Sequence, residues 1–182
     1  MNDRPFFEKI IYGGGVLFDL TKWAILFGII LALVNTFWIS VFHVDGESME
    51  PNLHNKELVL WQKTTDENDK LQRGQVVMVK YPGDPDHKQY VKRVVGLPGE
   101  KLEIKDSKLY INNKLLAEPY LPPYFITAPD GTWQMKANEY FVMGDNRENS
   151  NDSRFFGPAE RRFVLGHALA VIFPRFLLVK DM

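Results

Sequence analysis

Cysteine is absent from this chain of 182 residues. That excludes disulfides, thiolate nucleophiles and zinc–thiolate sites, and it leaves the redox compartment unreadable. Charge of one sign is not in excess either: 22 Lys and Arg stand against 23 Asp and Glu, a net charge of −1. A general nucleic-acid binder usually carries a basic surplus, so no nucleic-acid partner is expected. The four histidines (His43, His54, His87, His167) are scattered, without a His-x-x-x-His pair. No metal and no other cofactor are expected from such a set. Repeats and low-complexity tracts are missing as well. What remains is a chain 45% hydrophobic and 25% charged, long enough for one ordinary domain with an appendage.

Charge is missing locally from Trp23 to Phe42, where the run WAILFGIILALVNTFWISVF is almost wholly apolar. Twenty helical residues span about 30 Å, the thickness of a bilayer's hydrocarbon core. The rival is a buried core helix, but helices of globular proteins usually keep one polar face, and this run has none. A cleaved signal peptide would have a shorter apolar part, roughly 7–15 residues, ending in small residues. This run ends in bulky Trp38, Val41 and Phe42. The expectation is an uncleaved transmembrane helix over 23–42, with the lipid bilayer as partner. Arg4, Lys9 and Lys22 precede it, whereas only Lys56 follows it before Leu60. The positive-inside rule then makes 1–22 a cytoplasmic segment and puts 43–182 on the extracytoplasmic face of the cell membrane, after a single pass. A second apolar run, Phe163 to Val179, contains His167, Pro174 and Arg175 and reads as core strands.

Beyond the span, short β-rich runs are punctuated by turn residues: Glu57–Trp61, Gln75–Tyr81, Gln89–Val95, Lys101–Ile104 and Tyr140–Met143. Leu109–Ile111, Asn112-Asn113 and Lys114–Leu116 have the pattern of a hairpin. No long periodic helix appears there, so a mostly antiparallel β domain is expected.

Three stretches carry candidate chemistry. In Asp45-Gly46-Glu47-Ser48-Met49-Glu50-Pro51, Gly46 permits an unusual turn and Pro51 stiffens the chain after it. Such a turn exposes a hydroxyl and aims backbone N–H groups at a developing oxyanion. By itself it reads first as a polar turn leading off the membrane, because a lone serine needs an activating base. In the second, Gln89 to Glu100, strand alternation puts Tyr90, Lys92 and Val94 on one face. Desolvation among such neighbours lowers a lysine's pKa toward that of a usable base. Arg93, on the other face, stays protonated and cannot take that role. The plain alternative for Lys92 is an edge-strand lysine. In the third, Gly144 to Arg154, small polar residues mark a loop rich in side-chain-to-backbone bonds. A calcium loop fits poorly, since Phe156 stands where the bidentate glutamate belongs. A solvated surface loop stays open, with Asp152 and Arg154 spaced for a structural ion pair.

Gly46-Glu47-Ser48-Met49-Glu50-Pro51, Tyr90 to Gly99 and Gly144 to Arg154 together resemble the type I signal peptidase (leader peptidase) family, in the compact single-span form typical of Gram-positive bacteria. The match runs from the apolar segment to about Gly157, in order and spacing. The resemblance implies a Ser–Lys dyad, with Ser48 as nucleophile, Lys92 as general base and Ser150 as the hydroxyl that orients the lysine. Asp152 and Arg154 match a structural salt bridge under the site. The implied substrates are secretory preproteins, cut after an Ala-x-Ala end of the signal peptide near the protein export machinery. Phe42, Val44, Met49, Leu53 and Val91 match the walls of shallow pockets for those small side chains. Some members have a serine oxyanion donor where this chain has Gly46, which leaves the Ser48 backbone N–H as the main donor.

The expected fold is therefore mainly β: a signal-peptidase-like antiparallel catalytic domain after one N-terminal transmembrane helix. The expected function is that of a membrane-anchored serine endopeptidase removing signal peptides. A self-cleaving repressor has similar chemistry but needs a DNA-binding helix-turn-helix, which the first 42 residues lack. A membrane-anchored, non-enzymatic β binding module is the other alternative, and it requires Ser48 and Lys92 to lie more than about 5 Å apart.

Overall fold

A computed structural model of the chain describes residues 6–64, 69–81 and 88–179. It divides into two units, Met1–Trp38 and Ile39–Met182. Arg4, one of the cations that set the expected orientation, lies outside the described residues, as does the side chain of Lys9.

The first unit is a single helix, α1 (Phe6–Phe37). Its apolar side chains from Phe18 to Leu33 are exposed, Phe18 and Trp23 among them. Among the described residues no helix is both long and apolar enough to cross a membrane. Nor does the apolar run stay helical to Phe42: α1 closes at Phe37, and Ile39–His43 forms a strand of the second unit. The residues explain the switch, since Ile39 and Val41 are β-branched and suit a pleated surface. Burial then follows the strand, with Ser40 covered and Val41 and Phe42 exposed.

The second unit runs β1 (Ile39–His43), β2 (Leu58–Lys63), β3 (Val76–Lys80), β4 (Gln89–Gly96), β5 (Lys101–Lys105), β6 (Lys108–Ile111), β7 (Lys114–Leu115), β8 (Gly131–Gln134), β9 (Glu139–Met143), α2 (Ser153–Phe156), β10 (Ala159–Glu160), β11 (Val164–Phe173) and β12 (Leu177–Leu178). Among the described residues these strands form two antiparallel sheets. One follows the order β1-β2-β11-β3-β4-β9-β10, with β12 on β11; the other is β7-β6-β5-β8. The protein is mainly β and antiparallel. The Asn112-Asn113 hairpin forms between β6 and β7, both asparagines taking positive φ (49° and 66°). That pair of left-handed residues matches the twist of the flanking strands. β8 and β10 are not among the expected strands; each is four residues or fewer, too short to show alternation.

β3 shows why its sequence lacks alternation. Val76 and Met78 pack into one apolar cluster, with Val59, Trp61 and Val171. Val77 and Val79 pack into another, with Val94, Tyr140 and Val142. Both faces of this central strand are covered, so it reads as a continuous apolar run. The turn after β1, the strand β4 and the loop after β9 converge beside it.

Candidate active site

The Ser48 turn is built from its own residues first. Gly46 takes φ +114°, a left-handed value that a side chain rarely tolerates. Its N–H donates to Asn55 Oδ1 (3.2 Å). A tight turn follows, with the Asn52 and Leu53 N–H groups donating to the Met49 carbonyl (3.0 and 2.9 Å). Met49 and Leu53, 1% and 0% exposed, pin that turn into the core. From the loop after β9, the Asn146 N–H donates to the Ser48 carbonyl (3.0 Å) and Asn146 Nδ2 to the Glu47 carbonyl (3.2 Å). The two segments approach this closely because residue 144 is glycine: a Cβ there would collide with the Ser48 carbonyl and Ser150 Oγ.

Lys92 enters from β4, 1% exposed. Its Nζ lies 2.8 Å from Ser48 Oγ and donates to it when charged. In the neutral amine the same contact runs the other way, hydroxyl to nitrogen. Burial brings the Lys92 pKa down from 10.5 to about 8; the Asp152 and Asp145 carboxylates push it back up and the Arg154 charge pushes it down. Desolvation dominates because an ammonium away from water loses more than these partly cancelling charges restore.

Asp152 is wholly buried and caps α2, where Arg154 grips it through Nε and a second guanidinium nitrogen, both at 2.8 Å. The Gly144 N–H adds a third bond (3.0 Å). Burial alone would raise this carboxyl, but these bonds and the Arg154 charge hold it below the ordinary carboxylate range. Ser150 Oγ is buried and makes no hydrogen bond, so it does not bond to Lys92. Removing Asp152 leaves Arg154 charged and enclosed, which typically costs 3–5 kcal/mol. Asp152→Ala is expected to lose folded yield and to melt well below wild type in a thermal denaturation scan. A soluble variant with unchanged melting would show that Arg154 finds other partners.

Phe42, Val44, Met49 and Val91 line, with Ser48, a cleft of about 360 Å³. Leu53 does not join them. It lies in the cluster beneath the turn, with Met49, Val59 and Val171, because the hydrogen-bonded turn after Met49 directs it inward. Among the described residues no group of three or more His, Asp or Glu could hold a metal ion.

A family model described as signal peptidase, peptidase S26, matches residues 17–173. The chain belongs to this family. It is a serine endopeptidase. Signal peptidase I of Bacillus amyloliquefaciens is 39% identical over 162 residues, 83% of this chain and 85% of that protein. Signal peptidase I S of Bacillus subtilis strain 168 is 38% identical over 170 residues, 86% and 90% of the two chains. A solved signal peptidase I from Enterococcus faecalis V583 is 32% identical and covers 54% of this chain and 97% of its own, at a TM-score of 0.48.

In this S26 peptidase the most substantial polar structure that sequence patterning leaves hidden is centred on Arg93. It is 1% exposed and grips Asp145 through Nε (2.8 Å) and a second guanidinium nitrogen (2.6 Å). Asn52 Nδ2 donates to the same carboxylate (2.8 Å), tying the Ser48 turn to the loop after β9. Arg147, also buried, pairs with Glu118 in that loop's outer half. The signal for Arg93 is its alternation with Lys92, which sends the two cations to opposite faces of β4. Its partner, fifty-two positions away, leaves no sequence mark.

Proposed function

We propose that this peptidase is membrane-anchored and removes N-terminal signal peptides from secretory preproteins, cutting after small residues. The observation that carries the mechanism is the 2.8 Å contact between Ser48 Oγ and a lysine sealed from solvent. Ser48 Oγ attacks the scissile carbonyl while neutral Lys92 takes its proton. The resulting ammonium gives that proton to the leaving amine, and an ester to Ser48 remains. Lys92, neutral again, draws a proton from water, whose hydroxide cleaves the ester and restores Ser48. The Ser48 N–H makes no hydrogen bond among the described residues, which leaves it for the oxyanion. Asp152 and Arg154 hold the floor of the site, and Ser150 is buried beside Gly144, where an added Cβ would meet its hydroxyl. Gly46 gives the turn its left-handed residue.

The anchor is the apolar run over 23–42, helical as far as Phe37, with the N-terminus cytoplasmic. Its support is the absence of charge from Trp23 onward and the exposure of its apolar side chains. Residues −1 and −3 of the substrate fit against Phe42, Val44, Met49 and Val91. A large side chain at −1 overpacks such a pocket, costing about 1–3 kcal/mol or more. A preprotein with Ala→Phe at −1 is therefore expected to be cut roughly 10–100-fold more slowly, measured by release of the mature protein. Equal rates would overturn the pocket assignment and, with it, the small-residue specificity.

A further inference from the structure

Next to the catalytic cleft lies a second recess of about 310 Å³ with Ser40, Phe42, Trp61, Met78, Gln89 and Leu165 in its walls. Phe42, Met78 and Gln89 belong to both, so the two are continuous. Ser40 and Trp61 stand opposite each other in the pairing of β1 with β2. They are 7% and 2% exposed. Ser40 Oγ and Trp61 Nε1 are both buried without a hydrogen-bond partner. Buried polar groups are nearly always paired, so two orphans in one wall ask for a ligand that supplies what they lack.

Strand geometry says which part of a ligand reaches them. Along β1, Ser40 lies two residues before Phe42, about 7 Å further from Ser48. An extended peptide rises by the same amount over two residues, and its alternate side chains share a face. Residues −1, −3 and −5 therefore point to one wall. We propose that this recess is a subsite for residue −5 of the substrate, selecting an uncharged side chain with an acceptor oxygen at its tip, such as glutamine. The indole N–H can only donate, the serine hydroxyl can donate or accept, and Phe42, Met78 and Leu165 surround the side chain's methylenes. The proposal rests on the peptidase reading above.

The test uses two peptides identical except for Gln or Met at −5, side chains of similar length with and without an acceptor. The ratio of their kcat/KM values on one enzyme is read, so general losses of activity cancel. Wild type is expected to favour Gln about 5–10-fold, the worth of one neutral hydrogen bond. Trp61→Phe keeps the ring and removes the donor, and should bring the ratio close to one. Ser40→Ala, the milder change, should lower it as well and serves where Trp61→Phe does not fold. A wild-type ratio near one, or a full preference in both variants, overturns the subsite while leaving the peptidase reading intact. Wild type that cuts neither peptide overturns both.

Discussion

Ser48→Ala is expected to lower preprotein cleavage by about 10⁴-fold or more, with the fold intact. Deleting the nucleophile of a hydrolase removes the acyl-enzyme route altogether, and only binding and oxyanion stabilisation remain. The fold should survive because Ser48 contributes little to the core. The turn is held by Met49 and Leu53 below it and by Asn146 bonds to backbone carbonyls, none of which uses the hydroxyl. The measurement is single-turnover cleavage of a radiolabelled preprotein, alongside a melting curve. Residual activity above about one per cent of wild type, beyond what a 10⁴-fold loss allows, would remove Ser48 from the chemistry and require another nucleophile.

The second large effect concerns the proton on Lys92. Only the neutral amine accepts the serine proton, so activity should rise with pH through about 8 and then level off. Below that value each pH unit removes close to a factor of ten in neutral lysine. At pH 7 a lysine titrating near 8 is roughly 300-fold richer in the neutral form than one at its ordinary 10.5. That gain comes from burial, so it should vanish wherever water is admitted beside Nζ. Lys92→Arg should be inactive, by about 10³-fold or more, because a guanidinium holds its proton throughout this range. Its bulk in a site 1% exposed makes a melting curve necessary, and Lys92→Ala supplies the smaller companion. A folded Lys92→Arg with substantial activity, or a wild-type profile rising only near pH 10, would show that another group is the base.

Much of the second unit is legible in the amino-acid sequence. Glu57–Trp61, Gln75–Tyr81, Gln89–Val95, Lys101–Ile104 and Tyr140–Met143 coincide with β2, β3, β4, β5 and β9 to within a residue or two. Asn112-Asn113 marks its hairpin because few residues accept two consecutive positive φ values. The end of α1 is not legible in this way. Ile39 to Phe42 are as apolar as the helix before them, and hydropathy cannot separate a helix from a strand whose neighbour, β2, arrives from nineteen residues further on. Leu53 fails as a pocket wall for a similar reason. Its position in the motif fixes its neighbours in the chain, and only the folded turn after Met49 shows which way it points.

Composition excludes thiol chemistry, strand and turn patterning indicates a β scaffold, and the family resemblance carried by three short motifs implies a serine endopeptidase with Ser48 and Lys92 as the candidate pair. Local patterning carries such information because turn chemistry and strand alternation act over a few residues. Only the tertiary structure decided that Lys92 Nζ meets Ser48 Oγ across forty-four positions, and that Arg93 turns away to grip Asp145. These are contacts between segments brought together by packing against β3 and by the missing side chain of Gly144. The lowered pKa of Lys92 is of the same kind, since desolvation depends on everything that surrounds a group and on nothing in its own strand alone.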